Sequence, residues 1–167
     1  MIPGRILNSH GAELAERPAE RVLEFVAYSF PPGGALVVGW PAAPGAVRHD
    51  SLGRPGLLHF APARWLAPGP CPEIAAIIAA AEQSGTGTLV DVSGKWREFA
   101  LTGANAGRLL AGALNVEMVL EGRECAAVTM FDCPCVLARV ADGYAIWVRS
   151  SFAADFIAAI ARLRDLR

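Results

Sequence analysis

Thr88 to Leu163 reads TLVDVSGKWREFALTGANAGRLLAGALNVEMVLEGRECAAVTMFDCPCVLARVADGYAIWVRSSFAADFIAAIARL. Its hydrophobic period switches repeatedly between 2 and 3.6, the signature of mixed strands and helices. Thr88 to Val92 predicts a strand and Trp96 to Leu101 another, with Gly94-Lys95 placed for a tight turn between them. Gly103 lets the chain turn sharply out of the second strand, and Asn105 is positioned to cap a helix over Ala106–Leu114. Three closely spaced strands follow at Cys125–Phe131, Cys135–Val140 and Tyr144–Val148, the last two joined by the hairpin signal Asp142-Gly143. Ser150 or Ser151 then caps a terminal helix over Phe152–Leu166, with Phe156, Ile157, Ile160 and Leu163 at helical spacing.

Upstream the signals are sparser. Residues 1–20 carry Pro3 and Pro18 as breakers and are expected to form a partly ordered arm. Glu20–Phe30 suits a strand or a short helix, Pro31-Pro32-Gly33-Gly34 a turn, and Ala35–Trp40 a strand. Residues 42–56 are rich in Pro, Gly and charge and predict a loop, and Leu57–Leu66 predicts a strand. Pro72 sits where a helix start tolerates it, beside Glu73 at the positive end of the dipole. Ile74, Ile77 and Ile78 give that helix one apolar face as far as Gln83, and Ser84-Gly85 ends it. Strand groups followed by a helix, twice, predict an α+β class of layered antiparallel sheets with helices. The expected organisation is the arm over 1–20 and a single domain over 21–167.

Composition bounds the partners. With 15 basic and 16 acidic residues in 167, the charge is −1, which offers no footprint for nucleic acid. A hydrophobic fraction of 53% and a mean hydropathy of +0.35 are high, yet no apolar run approaches the roughly 18 residues of a membrane span. Either the surplus faces a partner or alanine inflates it. The N-terminus lacks a leader pattern, and Cys71, Cys125, Cys133 and Cys135 are expected as reduced thiols of a cytoplasmic protein.

No constellation predicts a self-sufficient active site. Cys133 and Cys135, two apart, are expected to face one side of a strand as small hydrophobes, since too few ligands accompany them for zinc. Ser93 lies near Asp91 but outside a G-x-S-x-G elbow, and Asp91 is read as a strand-end acceptor for backbone amides of the next turn. His59, in an apolar run, is read as a satisfied, partly buried imidazole. Neither G-x-G-x-x-G nor G-x-x-x-x-G-K-[ST] occurs. Arg149, beside a helix start and Phe152, is suited to hold a carboxylate either internally or across an interface.

One resemblance joins these pieces. Trp65-Leu66, Val90-Asp91-Val92-Ser93, Thr102-Gly103-Ala104-Asn105-Ala106 with Leu109-Leu110, Glu121-Gly122-Arg123 followed by Cys125 and Thr129, and Val148-Arg149-Ser150-Ser151-Phe152-Ala153 stand in fixed order. This order resembles the gamma subunit of heterotetrameric sarcosine oxidase and, more distantly, the folate-binding domain of the glycine-cleavage T-protein. It covers about Trp65 to Leu163. The resemblance implies a fold of two split β-α-β lobes and an accessory, non-catalytic chain. FAD, FMN, NAD and tetrahydrofolate would belong to larger alpha and beta subunits, and Arg149 and Phe152 are the interface candidates. T-protein-like enzymes carry an aspartate shortly after the Gly-x-x-Ala helix. Here the region reads Leu114-Asn115-Val116-Glu117, where Asn115 offers no carboxylate and Glu117 is longer and displaced. The rival reading is a stand-alone binder of a folate or pterin-type molecule through Asp91, Trp96 and Glu117. A homodimer with structural duties is a third.

Overall fold

The computed structural model describes residues 4–9, 11–18, 21–28 and 39–165. In chain order the elements are β1 (Gly4–Ser9), β2 (Ala12–Glu16), β3 (Val22–Ala27), β4 (Val47–His49), β5 (Pro55–Ala61), β6 (Arg64–Pro68), α1 (Pro72–Gln83), β7 (Gly87–Asp91) and β8 (Trp96–Thr102). After these come α2 (Ala106–Leu110), α3 (Val116–Val119), β9 (Cys125–Met130), β10 (Cys133–Val140), β11 (Gly143–Arg149), a 3-10 turn at Ser150–Phe152, and α4 (Ala153–Asp165). The expected turn at residues 31–34 and most of the expected strand at 35–40 lie outside the described residues, as does Leu166.

The α+β class is as the sequence predicts. The chain divides into two compact units. One combines residues 1–19, 94–122 and 127–167; the other combines 20–93 with 123–126.

The first unit is built on a six-stranded sheet of order β1-β2-β8-β11-β10-β9. Here the expected N-terminal arm is corrected: β1 pairs β2, and β2 pairs antiparallel with β8, Leu14 standing opposite Leu101. The alternation of apolar residues in Ala12 and Leu14, both buried, is what seats this strand. On the sheet face turned to α4, Phe99 lies opposite Ile146 and Leu137 also opposite Ile146 from the other side. Phe156 of α4 meets the Phe99 ring at 5.4 Å, and Ala153, Phe156 and Ile160 form the buried stripe of that helix. Phe131-Asp132 turns β9 into β10 with both residues at positive φ, a two-residue turn that suits the strand twist. Ala141-Asp142 turns β10 into β11, one residue before the expected Asp142-Gly143, because Gly143 already pairs with Val140 in the ladder.

The second unit is a five-stranded sheet of order β4-β5-β6-β3-β7 with α1 against it. Where a loop and one strand are expected over 42–66, three strands form, β5 and β6 turning through Ala63 at positive φ. α1 spans Pro72–Gln83 as expected, and its buried Ile74, Ile78 and Ala81 join Leu23, Phe25, Leu57 and Trp65 in one core. Phe25, Trp40 and Trp65 meet edge-on, with centroids 5.0–5.9 Å apart. Each such ring removes roughly 150–250 Å² from water, on the order of 5 kcal/mol before ordering costs.

β7 and β8 do not form the expected hairpin. β7 pairs with β3 in one sheet and β8 with β2 and β11 in the other, so Val92–Lys95 is the passage from one unit to the next rather than a turn within a ladder.

Candidate functional site

The residues expected to meet a ligand are divided between the two units. Asp91 ends β7, where its Oδ1 accepts from the Ser93 hydroxyl at 2.6 Å and the Ser93 amide at 3.1 Å. Its Oδ2 accepts from Arg21 Nε at 3.1 Å, and Ser93 Oγ in turn accepts from the Val22 amide. The hydrogen bonds from Ser93, aided by Arg21, hold the Asp91 carboxyl below its ordinary value. This is the strand-end role expected from the sequence: the carboxylate closes the turn after β7.

Glu117 lies in the other unit, on the wall of an open cleft of about 720 Å³ formed by the start of α2, by α3 and by the β10–β11 turn. Its Oε2 pairs with Arg139 Nη2 at 3.2 Å, and the Arg139 guanidinium sits 5.9 Å over the Tyr144 ring. Arg108 and Asp142 also line the cleft, so its charges balance in sign. Trp96 is not among the lining residues. It starts β8 whereas Gly103 of the cleft follows the end of that strand, roughly 20 Å away at strand rise. Within this unit Trp96 and Glu117 therefore stand apart.

Arg149 and Phe152 lie at the end of β11. Arg149 is the direct cross-strand partner of Trp96, and its guanidinium lies 5.1 Å over the indole. Lys95 stands 6.0 Å from the same ring. The expected internal ion pair of Arg149 is absent among the described residues. Ser150 does not cap a helix with its side chain; its hydroxyl donates to the Gly94 carbonyl at 2.9 Å and its amide to the Lys95 carbonyl. Phe152 is 37% exposed on the 3-10 turn. Arg149 and Phe152 were the sequence signals that pointed to this corner, and the register that puts Arg149 on Trp96 was not readable.

The remaining candidates are structural. Cys133 and Cys135 are buried on one face of β10, as small hydrophobes. Burial pushes the Cys125 and Cys135 thiols up to about 12, with Glu124 adding to the first and Cys133 to the second. Among the described residues no three His, Cys, Asp or Glu side chains group as metal ligands, and no helix is long and apolar enough to cross a membrane. His59 is fully buried and stacked on Trp65 at 4.3 Å. Burial depresses its pKa below 6.5, partly opposed by the nearby backbone of Ala42, Ala43, Pro41 and Ala61.

No protein-family profile and no curated protein matches the chain by sequence. Its fold does match a solved structure. A chain in the heterotetrameric sarcosine oxidase of Corynebacterium sp. U-96, determined in complex with pyrrole 2-carboxylate, superposes with a TM-score of 0.75 at 21% identity. The match covers 96% of this chain and 87% of that one, so the two are close in length. This chain thus shares the α+β fold of a chain from a multi-subunit amine-oxidising assembly. The resemblance drawn from the ordered motifs is met at the level of fold.

Proposed function

We propose that this chain is an accessory, non-catalytic subunit, of gamma type, in a sarcosine-oxidase-like flavoenzyme complex. The complex would oxidatively demethylate sarcosine or a related N-methyl amine in the cytoplasm. Larger alpha and beta subunits would hold FAD, FMN, NAD and tetrahydrofolate. The observation that carries this reading is the end-to-end likeness to a chain of comparable length in such an assembly. The local chemistry agrees with it. Asp91 is committed to Ser93 and Arg21, and Glu117 to Arg139, which leaves both carboxylates in structural duty. Arg149 and Phe152, by contrast, stand with unspent contact capacity and serve as interface residues.

Co-expression with the alpha and beta chains of a sarcosine oxidase tests the reading. A stable complex that carries flavin absorbance and contains this chain in fixed ratio is expected. Elution of the chain by itself, colourless, while the other subunits assemble and oxidise sarcosine without it, would overturn the assignment.

The cleft beside Glu117 favours a second reading, a small-molecule binder of folate or pterin type. Tetrahydrofolate titrated against the isolated chain discriminates: saturable binding abolished by Glu117→Gln supports this reading, and unchanged Trp fluorescence and no bound ligand on equilibrium dialysis refute it.

A further inference from the structure

The corner formed by Lys95, Trp96, Arg149 and Phe152 is built more firmly than an incidental surface contact requires. Arg149 and Trp96 face each other across β11 and β8, and Ser150 bonds twice to the Gly94–Lys95 backbone, which locks the two strand ends together. The carboxylate on the same face of β8 is already engaged. Glu98 accepts from Arg17 at 3.0 Å and from the Trp147 indole at 3.2 Å. Among the described residues Arg149 makes no ion pair, and the chain's only lysine stands on the same ring. The Trp96 indole N–H, in a side chain 95% buried, likewise has no described acceptor.

Stacking explains what such an arrangement offers. A guanidinium laid over an indole uses its face for the cation–π contact and keeps its donor fork, which lies in the guanidinium plane, for a second partner. Held in this way, the fork loses less freedom when it binds, so each bond formed contributes more. The complementary group is a planar two-oxygen anion, bound bidentately.

We propose that Arg149, stacked on Trp96, receives a carboxylate from an exposed acidic segment of a partner protein, with Phe152 as the apolar rim of the contact. The proposal rests on the accessory-subunit reading for the identity of the partner. A protein carboxylate is favoured over a free anion because Phe152, three residues after Arg149 and 37% exposed, offers an apolar contact that only a larger partner can use. The chain's charge of −1 gives no general attraction for anions, so recognition is local to this corner.

The test has two arms. In the first, the ¹⁵N-labelled full chain is titrated with acetyl-tetraglutamate amide while the Trp96 indole and Arg149 Nε signals are followed. Saturable shifts of both signals are expected in the wild type. They should be lost in Arg149→Gln and weakened in Arg149→Lys, which keeps the charge but not the fork. No shift, or equal shifts in Arg149→Gln, overturns the proposal. Equal or stronger shifts with inorganic phosphate overturn it too, since the corner would then be an unselective anion site. In the second arm the same variants are assembled with the flavoprotein subunits, and Arg149→Gln is expected to weaken assembly about thirtyfold or more. Wild-type assembly undiminished in Arg149→Gln removes the carboxylate contact but leaves the accessory role standing. Peptide binding at Arg149 without assembly of the wild type removes the accessory role and leaves the contact.

Discussion

A Cβ atom placed on Gly103 would stand 2.3 Å from the carbonyl oxygen of Gly11. Gly103 has a φ of +103°, and its amide donates to the Asp142 carbonyl at 3.1 Å. The end of β8, the β1–β2 turn and the β10–β11 turn thus meet at a backbone position only glycine fits. Gly103→Ala is expected to destabilise the protein by about 2–4 kcal/mol, combining left-handed strain with overpacking. Calorimetry checks this, and a melting temperature within a degree of wild type would refute the close approach.

His59 makes stability depend on pH in a defined window. Burial depresses its folded-state pKa, so the unfolded chain binds the proton more readily. The stability that comes from keeping it neutral is complete above the unfolded value of about 6.5 and drains away as pH falls below it. Asp50 acts lower. Burial raises its pKa, but hydrogen bonds from the Arg54 amide and side chain and from the Leu52 amide outweigh that and hold it below 3.8. Asp91, held down by Ser93 and Arg21, acts in the same range. Denaturant titrations between pH 7.5 and 3 should show two declines, and His59→Gln should flatten only the upper one. A wild-type slope of zero between pH 6.5 and 5 is the outcome that contradicts this.

The thiols should differ sharply in reactivity. Cys71 is part-exposed at the start of α1, whereas Cys125, Cys133 and Cys135 are buried and their thiols are raised in pKa by that burial. Native protein at pH 8 is expected to release one equivalent of thionitrobenzoate from Ellman's reagent, and unfolded protein four. Cys71→Ser should abolish the native reaction. Rapid labelling of two or more thiols in the folded state would contradict the described burial.

Asn115 caps α3 by accepting from the Met118 amide at 3.2 Å. Asn115→Ala is expected to cost about 1 kcal/mol, while Asn115→Asp should be neutral or slightly stabilising because a carboxylate caps equally well and suits the helix dipole. If both substitutions proved equally harmful in urea unfolding, the capping assignment would fail.

Legibility followed the range of the interactions. α1 was readable to its end residues because Pro72, the isoleucine stripe and Ser84-Gly85 are all local signals. The β10–β11 hairpin was readable for the same reason. β1 and β2 were not, since the hairpin they form is seated by the pairing of β2 with β8, some eighty residues further on. The Phe131-Asp132 turn carries neither Gly nor Asn, so its strained backbone left no mark in the sequence. Val90-Asp91-Val92-Ser93 looked like half of a hairpin; only the register shows that β7 and β8 belong to different sheets. At the candidate interface, Arg149 and Phe152 stood out as residue types, but the indole beneath the guanidinium depended on a cross-strand alignment that no local window contains.

The pairing of β2 with β8 also sets a timetable for biogenesis. Glu16 leaves the ribosome long before Phe99, the residue it must face, has been translated. Closing a loop of that size costs entropy before any ladder bond repays it. Most of the 20–93 unit can meanwhile collapse around its tryptophans, while the first hairpin waits as an unfinished sheet edge exposed to chaperones.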